Sequence, residues 1–377
     1  MHAASVGEMG DAGAEEEMDG GTFGVRRVFG EAGERPCRLG TITCAEAGSL
    51  GKLGDCAPVF GTHLFLALIV STYVIFPSFP AFRRLTAGDE QRYVATYRQV
   101  EPYADFSFNN LLIWLDMEND LEVSTHGDCL ILRFTNVFEG RKSYTMLGVD
   151  GCDEAARSVF AFQDRHGIAQ ELSMVPECAT REIRGNAEVV EDPDSSDYVF
   201  DIAMALKMSD NSFARLRKEN RAFWRRHGGR ARLDVIDPSD TASQHLIFNR
   251  LDEWRRHGGG LRNDPDDMER RAIERAFSLA AVIGFECVGL WIDGKLVSFA
   301  VFHLPPQPGW AIVNHLKYDR GINGLFDATY HAVLGYLADK GLRFINLEQD
   351  LGIDGLRFHK NRLRPAGRLK RYTIRSP

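Results

Sequence analysis

The last thirty-odd residues, from Arg343 to Ile374, read as strand, polar loop, short basic helix, proline break and strand. That ending directs the chain toward a mixed α/β sheet. Side chains alternate along a strand, so Phe344, Asn346 and Glu348 are expected on one face and Ile345 and Leu347 on the other. Asn346, Glu348 and Asp350 then gather where the strand runs into the loop. Arg357, His359, Lys360, Arg362, Arg364, Arg368, Lys370 and Arg371 follow with no acid among them. Carboxylates at a strand end beside a cationic segment fit a site that handles a proton and an anion. The plainer reading is a solvated basic surface and a capped helix.

A chain of 377 residues exceeds one ordinary core, so two domains or two related halves are expected. The net charge of −8 argues against generic coating of nucleic acid, and no DNA partner is expected. Cys37, Cys44, Cys56, Cys129, Cys152, Cys178 and Cys287 are scattered, without a C-x-x-C pair or a zinc spacing. Reduced thiols in a cytoplasmic setting are expected, and no structural metal. Nothing in the sequence sets the oligomeric state.

Residues 1–56 are rich in Gly, Ala and Glu and read as disordered. Residues 57–78 are hydrophobic, and Val59–Phe76 is about long enough to cross a bilayer. Arg83 and Arg84 follow, which would leave the main body in the cytoplasm. A membrane anchor, a packed hydrophobic helix and an upstream extension all stay open. A first folded half is expected over 79–190 and a second over 197–377. Between them EDPDSSD, Glu191–Asp197, reads as a linker. Each half carries strands and helices in a similar order. LEVSTHGDCLILRFT and ECVGLWIDGKLVSFAVFHL read as hairpins, the second turning at Asp293-Gly294.

A hairpin, a strand, a glycine-bearing turn into a helix and another strand resemble the acyltransferase fold of the GNAT superfamily. YADFSFNNLLIW, LRKENRAFWRRHGG and INLEQDLGIDGLRFHKNRLRP resemble a domain family related to the C-terminal domain of phosphatidylglycerol lysyltransferases. The resemblance runs from about Phe79 to Ile374. It implies two tandem GNAT-like halves. It also implies transfer of an aminoacyl group, typically from a charged tRNA, to a lipid head group or a related amine or hydroxyl.

The residues themselves offer these candidates. Glu348 and Asp350 are the candidate bases, with His315 a weaker one. Arg217 and Arg221 form a ridge with Arg225 at every fourth residue of a helix, with Lys218 alongside; arginine forks suit phosphate oxygens. Asn220 falls on that helix's apolar stripe and is expected to brace a loop, as Asn346 supports the strand end. Lys360 is expected to neutralise charge nearby. Arg320, Gly321 and Gly324 stand where a coenzyme A pyrophosphate loop would read Q/R-x-x-G-x-G/A, but Asn323 replaces one glycine. That departure leaves room for a bulkier donor. Aminoacyl-tRNA and acyl-CoA are the expected donors and a membrane lipid the expected acceptor. The competing readings are a non-catalytic module for an anionic metabolite or lipid, and a CoA-dependent N-acetyltransferase.

Overall fold

The computed structural model describes residues 75–114, 121–135, 140–258 and 265–376. The N-terminal segment 1–56 and the hydrophobic stretch up to residue 74 lie outside them. Among the described residues, no helix is long and apolar enough to cross a membrane.

The first half contains β1 (Arg83–Arg84), α1 (Glu90–Tyr97), α2 (Phe108–Trp114), β2 (Glu122–His126), β3 (Cys129–Thr135) and β4 (Lys142–Leu147). It continues with α3 (Cys152–Arg165), β5 (Glu171–Pro176) and α4 (Glu177–Thr180). A long β6 (Glu188–Asp201) leads to α5 (Ile202–Lys207), α6 (Ala214–His227), β7 (Ala231–Ile236), α7 (Thr241–Gly258) and α8 (Pro265–Ile283). Then come β8 (Phe285–Ile292), β9 (Lys295–His303), β10 (Trp310–Tyr318) and α9 (Leu325–Asp339). The chain ends through β11 (Phe344–Asn346), α10 (Asp354–Arg362) and β12 (Gly367–Arg375).

Both expected hairpins form, as β2–β3 and β8–β9. Asp293 and Gly294 take φ of 50° and 77°, the left-handed pair that a two-residue turn needs to match strand twist. Strands β1-β2-β3-β4 make an antiparallel sheet of four. The second sheet has eight strands in the order β5-β12-β6-β11-β10-β9-β8-β7. Within it β10 and β11 run parallel, and the other pairs are antiparallel. The expected mixed α/β sheet is present.

The linker reading of Glu191–Asp197 is wrong. These residues belong to β6 and pair with β12, Asp197 opposite Leu369 and Glu191 opposite Tyr372, across an irregularity in the ladder. A run of acids resembles a solvated connection, but a strand partner some 170 residues later satisfies its backbone. One hydrophobic cluster runs through Tyr93, Phe108 and Ile113 of the first half to Ile273, Phe299 and Val301 of the second. The sheet face carrying Phe299 and Val301 is therefore covered by α2 and α8, and the polar site below lies on that same face.

Candidate functional site

Strands β10 and β11 pair through only three positions, Trp310–Phe344, Ala311–Ile345 and Ile312–Asn346. Beyond them β10 continues to Tyr318, while the other chain stays with β6. Leu347 N donates to Tyr198 O (3.0 Å), and Tyr198 N donates to Glu348 O (3.1 Å). The parallel pair thus opens at its carboxyl end, where open α/β sheets place their ligands. Strand alternation stops at Asn346. Glu348 sits in the left-handed region at φ 60°, an unusual conformation for a side-chain-bearing residue outside Asn and Asp. Its amide is held by Asn346 Oδ1 at 2.7 Å.

The Glu348 side chain lies in a mesh of amides. Asn110 Nδ2 and Asn314 Nδ2 both donate to Oε1, at 2.9 and 3.1 Å. Asn314 Nδ2 also donates to Asn110 Oδ1. Among the described residues no hydrogen bond reaches Glu348 Oε2. Asn314 owes its aim to a β-bulge. Val313 pairs with Phe302 and His315 with the adjacent Val301, which leaves Asn314 as the extra residue. Burial pushes the Glu348 carboxyl up to about 8, and Asp105 and Asp197 push the same way. Lys360 and the Asn110 amide pull it back.

Below this mesh lies a buried ion cluster. Arg371 is fully buried and donates to Asp197 Oδ1 at 2.9 Å and to Asp105. Asp197 Oδ2 also accepts from Ala104 N (2.7 Å) and from Asn346 Nδ2 (2.8 Å). Asn346, expected as a supporting residue, therefore links the ion cluster to the Glu348 backbone.

Asp350, the alternative base, is elsewhere engaged. Burial raises its pKa, but Arg357 and the Tyr198 hydroxyl outweigh burial and hold it down to about 2. Arg357 Nε and Nη2 reach it at 3.0 and 2.9 Å, and Tyr198 OH at 2.6 Å. A carboxylate so firmly ionised is a poor base near neutral pH. Lys360 donates to the carbonyls of Leu347 and Gln349, so it fastens the loop carrying Glu348. Arg362 of α10 pairs with Asp327 at 2.6 Å. Much of the basic segment is thus engaged within the fold, which the absence of local acids concealed.

The ridge on α6 divides. Arg217 folds back onto the carbonyls of Met208 and Asp210 and holds the preceding loop. Lys218, Arg221 and Arg225 are exposed. Among the described residues Asn220 Oδ1 is buried without a partner, so that atom makes no brace there. Arg217→Ala is expected to cost about 1 kcal/mol in urea unfolding, and Arg221→Ala less than about 0.5 kcal/mol. The turn 320–325 is also differently used. Gly321 N donates to Asp319 Oδ1 at 2.9 Å. Gly324 has φ 76°, and a Cβ there would stand 2.9 Å from Glu219 O, so its glycine serves close approach of α6. Arg320 is exposed. His315 is buried, with Nδ1 3.3 Å from Glu269 Oε1, while Nε2 has no partner among the described residues. Among the described residues no three His, Cys, Asp or Glu side chains are grouped as a metal ion would require.

Sequence reasoning missed Asp105, Asn110, Asp197, His303, Asn314 and Arg371 as a set. A signal existed for two of them: Asn110 stands in the apolar run NLLIW and Asn314 in the apolar strand WAIVNHL. A buried amide there needs partners.

No curated protein matches the chain. Among solved structures, a conserved protein of unknown function from Bacteroides thetaiotaomicron is 21% identical, with a TM-score of 0.68 over 78% of this chain and 99% of that one. The C-terminal domain of a putative lysylphosphatidylglycerol synthetase from Agrobacterium fabrum is 14% identical, with a TM-score of 0.53 over 77% and 92% of the two chains. L-PGS from Bacillus licheniformis is 14% identical, with a TM-score of 0.50 over 76% and 91%. These likenesses concern the fold, a mixed α/β arrangement. The family described as phosphatidylglycerol lysyltransferase, C-terminal, matches residues 97–375, a span that includes every member of the Glu348 mesh and of the ion cluster beneath it. The chain belongs to that family.

Proposed function

We propose that this chain transfers an aminoacyl group from a charged tRNA to an amine or hydroxyl acceptor, a lipid head group first among them. The family relationship supports a transferase in the coarse sense. One observation carries the finer reading: Glu348 stands at the open end of the parallel pair with Oε1 tied by two amides and, among the described residues, Oε2 unbonded.

A carboxyl that titrates near 8 exchanges protons readily at neutral pH. In its ionised form, Oε2 takes the proton of the acceptor N–H or O–H as that atom attacks the ester carbonyl. The new bond to carbon forms, the bond to the tRNA hydroxyl oxygen breaks, and the proton passes to that oxygen. Glu348 returns to its starting form. No covalent intermediate with the protein is needed. Coenzyme A is the less supported donor, because the amide of Gly321 is engaged by Asp319 and Gly324 is closed over by α6.

The purified full chain, incubated with radiolabelled aminoacyl-tRNA or acyl-CoA and a lipid extract, tests this. Label is expected in the lipid fraction from aminoacyl-tRNA, and at a rate at least about a hundred-fold lower from the Glu348→Gln protein. Tight binding of a donor without transfer under any condition would favour a non-catalytic module instead. If lipid is the acceptor and Val59–Phe76 an anchor, the full chain should fractionate with membranes and a chain starting at Phe79 should not. Equal solubility of both without detergent would count against the anchor.

A further inference from the structure

Glu348 is oriented by Asn314, and Asn314 in turn touches a residue that reaches neither Glu348 nor the open strand end. His303 ends β9 and is 1% exposed. Its Nδ1 lies 2.8 Å from Asn314 Oδ1, and its Nε2 is buried without a partner among the described residues. The Phe285 ring meets its edge at 5.5 Å. Burial holds this imidazole neutral, down to about 4, with the Asn314 contact acting weakly the other way. A neutral imidazole has one N–H. The carbonyl oxygen of an amide can only accept, so that N–H must be on Nδ1 and the lone pair on Nε2.

An asparagine amide has two orientations of nearly equal shape. In the one observed, Asn314 Oδ1 faces His303, and Nδ2 donates to both Asn110 Oδ1 and Glu348 Oε1. Turned over, it would present Oδ1 to Glu348 and leave Asn110 Oδ1 without its donor. The flipped amide would also set its NH₂ against the Nδ1–H of His303, donor against donor. The turned state would therefore need the imidazole proton on Nε2, which is buried with no acceptor among the described residues, so the histidine disfavours it.

We propose that His303 is a positioning residue: it fixes the Asn314 amide and thereby decides which oxygen of Glu348 is left to exchange a proton. This rests on the reading of Glu348 as the proton-handling group, and it can fail separately from that reading. With the lock removed, the amide can turn, and the acid form of Glu348 can donate from Oε1 to Asn314 Oδ1. The protonated form gains, so the carboxyl titrates higher. Lys360, Asp105 and Asp197 are the charged groups that bear on Glu348, and all are unchanged in the variants below.

The test is the titration of Glu348 in full-length protein carrying ¹³C in its glutamate carboxyls, with the signal assigned by its loss in Glu348→Gln. His303→Phe keeps the ring and removes the donor. Its Glu348 midpoint is expected to rise by about one pH unit. His303→Asn, whose amide can place an N–H near the Nδ1 position, is expected to bring the midpoint back toward the wild type. An unmoved midpoint in folded His303→Phe overturns the proposal. So does a wild-type imidazole that carries its proton on Nε2, read from long-range ¹H–¹⁵N spectra, a measurement that needs no variant to fold. If the midpoint moves while the pH–rate profile does not follow, His303 positions Glu348 as proposed and the base role of Glu348 falls.

Discussion

Glu348→Gln is expected to lower turnover by about a hundred- to ten-thousand-fold while donor and acceptor still bind. The substitution keeps the shape and the Oε1 acceptor for Asn110 and Asn314, and removes only the proton exchange. The wild-type rate should climb with pH toward about 8, where the carboxyl ionises, and the Gln protein should lack that acidic limb. Stability gives an independent reading. The folded pKa is raised above the ordinary value of 4.5, so the native state keeps a proton that the unfolded chain has released. That contribution is complete below pH 4.5 and is lost as pH rises through about 8. The Gln protein does not suffer this loss. Relative to the wild type it should therefore gain stability across the window, on the order of 4 kcal/mol between pH 5 and pH 9. Urea unfolding at pH 5 and pH 9 measures it. A normal rate in a folded Gln protein would remove Glu348 from the chemistry. A parallel loss of binding and stability would make it a loop support.

Arg371→Met should destabilise the protein by about 3–5 kcal/mol, the cost of leaving buried charge without its partner. Arg371 and Asp197 are both fully buried, and Asp105 is the second acid on the same guanidinium. Burial pushes the Asp197 pKa up and Arg371 opposes it, so without the arginine Asp197 is left to take up a proton. Pairing Arg371→Met with Asp197→Leu should recover only part of the loss. Asp197 also accepts from Ala104 N and from one N–H of Asn346 Nδ2, whose other N–H goes to Pro102 O, and the Ala104 N–H and that one Asn346 N–H would remain buried and unmet. Because Asn346 carries the Glu348 amide, the single Arg371 variant should also lose activity before it unfolds. A loss below about 1 kcal/mol in urea would mean that water reaches the cluster and screens it.

Much of the local structure was legible. The hairpin over Glu286–His303 follows from alternation and the Asp293-Gly294 turn, and the helix over Ala214–His227 from its apolar spacing. Glu348 stood out because it falls where a strand runs into a polar loop beside a basic segment. Its neighbours did not. Asn110 bonds to it across 238 positions in the chain, and Arg371 joins Asp197 across 174. Periodicity reports which way a side chain faces within its own element, and carries nothing about what stands opposite. Asp197 was hidden for the same reason, since an acidic run with turn-forming residues gives no sign of a distant strand partner.

The choice between Glu348 and Asp350 shows where the line falls. In the sequence they are two acids, two positions apart, beside the same basic segment. Only the fold sets Arg357 and Tyr198 on Asp350 and buries Glu348 near Asp105 and Asp197, so one carboxyl is drawn down to about 2 and the other driven up to about 8. The same holds for the cations, where only packing decides that Arg217 and Lys360 grip backbone carbonyls while Arg221 stays in solvent. The sequence alone determined the elements, the turns and the clustering of acid with base at the end of a strand, because those depend on near neighbours. Ionisation depends on burial and on groups brought together from far along the chain, and that was decided by the tertiary structure.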